Sequence, residues 1–141
     1  MTALILTLGL LMAGAPAHPG RPMSATEVAR RLDVTTFPNS TGPERRPDAR
    51  TLRDYGFTRM EPGDRGDVYL HRDQAEVRWT FGIRVLTWSE GKGMLCISDI
   101  AQNGGSYFQV RPLEVEEGPD GLLRATGRRV KASGCPERRQ R

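Results

Sequence analysis

The stretch AEVRWTFGIRVLTW, residues 75 to 88, constrains the architecture of this chain more than any other. Val77, Trp79, Phe81, Ile83 and Val85 alternate with Arg78, Thr80, Gly82 and Arg84. A period of two puts the apolar side chains on one face of an extended strand and the two arginines on the other. An α-helix would scatter the same residues around its axis. The phase breaks at Leu86 and Trp88, which predicts a bulge or a strand end there. A strand with one apolar face must be paired and covered, so the chain has to build a sheet around it.

Four further stretches read as strands: residues 54–60, 67–72, 94–100 and 122–130. Residues 107–115 read as another, broken at Pro112 because proline lacks a ladder donor. Turn chemistry separates these runs at residues 61–66, 89–93 and 116–121. Asn103-Gly104-Gly105 suits the positive φ of a hairpin turn. One helical signal precedes the strands. Ser24 and Glu27 have capping-box spacing, and Val28 and Leu32 fall one turn apart beside Ala25 and Ala29. Arg30 and Arg31 face elsewhere. The fold class expected is α+β: one short N-terminal helix packed on a mostly antiparallel β-sheet of about five to six strands, with one disulfide. The helix is expected over residues 25–32. Between it and the strands lies a segment carrying Pro38, Pro43 and Pro47. It is too proline-rich for a regular element and long enough to be functional or disordered.

Residues 1–17 read as a cleaved signal peptide. An apolar run from Ala3 to Ala13 is followed by Ala15-Pro16-Ala17, which fits the small-residue cleavage rule. The run is shorter than the ~20 residues that span a bilayer, and no second such run follows. Residues 18–23 are then a flexible N-terminus, residues 24–135 a single α+β domain, and residues 136–141 a basic C-terminal tail that frays beyond Cys135. The expected location is exported, either periplasmic or secreted. In that compartment the only two cysteines, Cys96 and Cys135, are expected to form one disulfide.

Catalytic constellations are scarce. His18 and His71 are the only histidines. No nucleophile elbow and no metal-ligand spacing is present, so no cofactor and no metal are implied. If the protein is a small secreted hydrolase, Asp99, His71 and Ser106 are the residues available to it. Asp99 stands out because it interrupts an apolar strand. It must face solvent or meet an arginine of the neighbouring strand, Arg78 or Arg84.

Positive charge is the stronger feature. The formal net charge is +4, and 19 of the 21 basic residues are arginine. Arg124, Arg128, Arg129 and Lys131 form a basic segment that could hold an anion. It contains no aromatic on which a base could stack, so nucleic acid is not the expected partner. The expected function is a non-catalytic binding or interaction module. Its ligand is a protein or an anionic envelope component such as a glycan or a charged surface, and an inhibitor is one form it could take.

Overall fold

The computed structural model describes residues 21–38, 41–74, 77–102 and 106–140. The signal-peptide expectation and the Asn103-Gly104-Gly105 turn lie outside these residues. Among the described residues the chain forms helix α1 (Ala25–Arg31), β1 (Leu32–Asp33), a 3-10 turn (Val34–Thr36), β2 (Arg59–Pro62), β3 (Val68–Gln74), β4 (Val77–Ser89), β5 (Lys92–Gln102), β6 (Ser106–Glu117), β7 (Leu123–Ala125) and β8 (Arg138–Gln140). The sheet runs β1-β7-β6-β5-β4-β3-β2, and β8 joins the outer edge of β6. Among the described residues only the β1–β7 pair is parallel.

The α+β expectation is overturned. Strand makes up 48% of the structure and helix 9%, and seven strands in series curl into a half-barrel of mixed sheet. Strand number was underestimated as well. The physical reason is the length of the helix. Its seven residues are too few to form a layer over strands of 11 to 13 residues. Irregular chain covers the sheet instead. Phe37, Ala49, Leu52, Tyr55 and Phe57 join Val28, Ala29 and Leu32 of the helical end in one core with the sheet. The proline-containing segment is therefore a packed lining, with Thr41, Pro43 and Ala49 buried.

Local signals hold where they were strongest. The capping box forms in both directions: Glu27 N–H donates to Ser24 Oγ at 3.2 Å, and Ser24 N–H donates to Glu27 Oε2 at 2.9 Å. Val85 and Thr87 bracket a register shift between β4 and β5, where the alternation breaks. The register places Phe81, Ile83, Leu95, Ile97, Leu113 and Val115 on the face that the sheet curls around, and all of them are buried. Opposite them, Tyr69, Gly82, Ser98 and Val110 face outward.

Pro112 does not break β6. It pairs with Cys96 in the middle of a continuous 12-residue strand. On the other edge of β6, β8 pairs residues 108–110 and β7 pairs residues 115–117. Pro112 sits in the gap between them, where a missing N–H costs no ladder bond.

The Cys96–Cys135 disulfide is formed. It carries the C-terminal segment across the outer face of the sheet, where Arg84 Nη2 donates to the Gly134 carbonyl at 2.6 Å. Beyond Cys135 the chain does not fray at once, because Arg138–Gln140 adds to the sheet as β8. The bond spans 39 residues, and closing a loop of that size stabilises by about 4 kcal/mol in the chain-entropy model. The Cys96→Ala/Cys135→Ala double variant is expected to lose stability of that order in urea unfolding, with β8 the first element to lose hydrogen-exchange protection. A double variant as stable as the parent would show that the tail is held by other contacts.

Candidate functional site

Asp99 does not meet Arg78 or Arg84. It pairs across the ladder with Phe81, on the inner face, whereas Arg78 and Arg84 project from the outer face of β4. Its side chain is 2% exposed. Trp79 Nε1–H donates to Oδ1 at 2.6 Å, and Gly42 N–H donates to Oδ2 at 2.9 Å. Phe57 positions the indole, its ring meeting Trp79 edge-on at 5.5 Å between centroids. Gly42 has φ +81°, a conformation glycine adopts freely and one that turns its N–H onto the carboxylate. Beside this pair, Arg111 Nη1 donates to Thr41 Oγ1 at 3.1 Å, and Tyr107 Oη donates to Gln109 Oε1 at 2.7 Å. These polar groups of the inner face hold residues 41–43 against β4, β5 and β6.

His71 lies on the other side of the sheet. It pairs with Thr80, the neighbour of Phe81 in β4, so His71 and Asp99 project from opposite faces. Its Nδ1 is 3.0 Å from Thr80 Oγ1, and its Nε2 is 3.3 Å from Glu61 Oε2. Ser106 starts β6 and pairs through its backbone with Gln102. Histidine and aspartate therefore cannot exchange a proton, which general-base catalysis by this pair would require.

The basic segment is divided. Arg124 donates to Asp120 at 2.7 Å and lies 3.9 Å from Asp33. Arg128 grips Glu114 through Nε and Nη2 at 2.8 and 2.5 Å. Arg129 and Lys131 are exposed. Two of the four expected anion-binding cations thus already face carboxylates. Asp33, buried at 1% exposure, is the centre of the larger network. Thr35 donates to its Oδ1, and Arg50 donates to its Oδ2 through Nε at 3.1 Å and Nη2 at 2.5 Å.

A cleft not anticipated from sequence lies between the C-terminal end of α1, the turn at residues 51–58 and the β2–β3 rim. Its volume is about 440 Å³, and it is lined by Ala29, Arg30, Thr51, Arg53, Phe57, Thr58, Met60 and Leu70. Arg30 and Arg53 are exposed at its mouth, and among the described residues neither guanidinium has a hydrogen-bond or carboxylate partner. Phe57 and Leu70 form a nearly closed floor at 1% and 2% exposure. Met60 is half-buried and forms an adaptable wall. The lining carries two cations and no carboxylate. A second groove of about 220 Å³ crosses the outer face between Tyr69, Ile100, Phe108 and Val110. Gly82 keeps it open, since a Cβ there would run into Ser98 Oγ and the Tyr69 ring. At its charged end Arg84 is 3.5 Å from Asp67, so this groove supplies its own counter-charge.

No protein-family model, curated protein or solved structure matches this chain.

The two buried carboxyls give opposite pH dependences. Burial pushes the Asp99 carboxyl up from its ordinary value, against the bonds from Trp79 and Gly42. Folded protein then holds that proton more tightly than unfolded chain. The stability from Asp99 is full below the unfolded pKa and declines as pH rises through the raised folded value. Burial also pushes the Asp33 carboxyl up, but the bonds from Thr35 and Arg50 outweigh it and hold the group below its ordinary value. Its contribution is present above the unfolded pKa and is lost as pH falls through the lowered folded value. Urea unfolding of Asp99→Asn across about pH 4 to 7 should lack a decline that the parent shows. In Asp33→Asn the acid-side loss should become smaller, while the share from Glu27, Asp54, Glu114 and Asp120 remains. Parallel curves for Asp99→Asn and the parent would contradict this assignment. Trp79→Phe keeps a ring and removes the donor, and is expected to cost about 1–3 kcal/mol.

Proposed function

We propose that this protein is a non-catalytic binding module of the exported space and that it takes an anionic ligand in the cleft between α1 and the β2–β3 rim. One observation carries the reading: Arg30 and Arg53 flank an apolar pocket whose lining contains no carboxylate. Some surface arginines are neutralised within the chain, Arg31 by Glu117, Arg50 by Asp33 and Asp120, Arg128 by Glu114; others are not, and the cleft is set apart by having two such guanidiniums beside one apolar pocket. Two unneutralised guanidiniums at one cleft mouth create a local positive potential that an anion relieves. The cleft volume falls within the usual range for small-ligand sites, about 300–1,000 Å³.

Export is supported by the disulfide and by the leader-like residues 1–17. Among the described residues no helix is long and apolar enough to cross a membrane. A hydrolase built on Asp99, His71 and Ser106 is disfavoured by the opposite faces of Asp99 and His71.

The test is an NMR titration of the ¹⁵N-labelled protein with acetate, inorganic phosphate, decanoate and a heparin disaccharide. Saturable shifts for at least one of these anions are expected at Arg30, Arg53, Thr58 and Met60, and they should vanish in Arg30→Gln/Arg53→Gln. Shifts confined to residues 124–131, or none with any anion, would overturn the reading.

A further inference from the structure

The chemistry of the cleft specifies more than a negative charge. Its two cations lie at the mouth, and below them the lining is Ala29, Phe57, Met60 and Leu70. Phe57 and Leu70 belong to the main hydrophobic core, and Met60 packs against it. The hydroxyls of Thr51 and Thr58 are at the rim. Thr51 Oγ1 is already committed to Asp54 Oδ2 at 2.9 Å. A small hydrophilic anion would engage the arginines and leave the apolar part of the pocket in contact with water. A neutral apolar molecule would fill the pocket and leave two guanidiniums without counter-ions. A sugar would need hydrogen-bonding partners along its length, and the floor offers none.

We infer that the ligand is a single-chain amphiphile, an acyl chain ending in an anionic head, with the head held by Arg30 and Arg53 and the chain lying in the pocket against Met60, over the floor of Phe57 and Leu70. This inference rests on reading the cleft as an anion site and names the class of anion. Charge complementarity selects the head, because no carboxylate in the lining competes for it. Met60 supplies the adjustment that admits the chain: it is unbranched, half-buried, and sits on β2, the last strand of the sheet. An acyl chain with a carboxylate and one with a phosphate share this chemistry, and both are tested.

Calorimetry of the full chain with acetate, octanoate, decanoate, decyl phosphate and decan-1-ol separates the terms. Affinity should rise about fourfold with each methylene buried, so decanoate should bind about fifteenfold tighter than octanoate. Decan-1-ol should bind at least about tenfold more weakly than decanoate, and Arg53→Gln should weaken decanoate at least about tenfold. Decyl phosphate bound more tightly than decanoate would assign a phosphate head, and the reverse order a carboxylate head. Met60→Trp narrows the entrance and should abolish the chain-length dependence while circular dichroism and urea unfolding remain those of the parent. Acetate bound as tightly as decanoate would overturn the amphiphile and leave the anion site standing. Decanoate binding unchanged by Arg53→Gln and by Arg30→Gln would overturn both.

Discussion

The interaction on which the rest depends is the buried carboxylate of Asp99 with the indole of Trp79 and the amide of Gly42. A curled sheet with one apolar face needs a cover, and among the described residues the only α-helix available has seven residues. The remainder of the cover is irregular backbone, whose polar groups have no ladder to enter. Asp99 provides a fixed acceptor in the middle of the inner face, with one oxygen taken by the sheet and one by the covering segment. The cost is a buried carboxyl with no cation among its bonded partners. Its desolvation outweighs the two bonds it accepts, which is why the carboxyl is pushed up, and the bonds recover part of that cost. The packing agrees with that role: Phe37 and Phe57 from the cover both lie against Phe81, at 5.9 and 6.0 Å between ring centroids.

The covering segment also builds the cleft. Phe57 touches Trp79 on one side and floors the cleft on the other. The turn that places Phe57 also presents Arg53. That turn is stabilised by Asp54, which accepts from Arg50 N–H, Thr51 N–H and Thr51 Oγ1–H. Asp33 anchors the start of the same region through Arg50. The two buried acids thus pin the irregular lining at Gly42 and at Arg50, and Arg53 stands on the surface just after the second pin. In the proposed reading the ligand is taken at this rim, where Arg30 and Arg53 line the cleft.

Much of this was legible in residue order. The alternation of β4, its phase break, the capping box and the cysteine pair depend on local spacing or on simple counting. The position of Asp99 was legible too, because Leu95, Ile97, Asp99 and Ala101 share one parity and three of them are apolar. A charge in an apolar strand also suggests a partner of opposite sign, and Arg78 and Arg84 lie on the other parity, facing outward. Two features were beyond reach. Pro112 is tolerated because two short strands leave a gap on one edge of β6, which depends on residues 123–140. Arg30 and Arg53 line one cleft only because irregular chain folds back over the sheet, and no periodicity records such a return. Helix length was readable, but its consequence was not: a helix this short leaves the sheet to define the class.

The central claim is that Asp99 locks the covering segment to the sheet. Hydrogen exchange of two protons tests it directly: the backbone amide of Gly42 and the indole N–H of Trp79. If both bonds hold the cover, both protons exchange only on global unfolding, at the rate of the slowest amides of β4 and β5. Exchange of the Gly42 amide at the rate of an exposed loop, with β4 and β5 still protected, would show that the cover lifts without the sheet and would contradict the account.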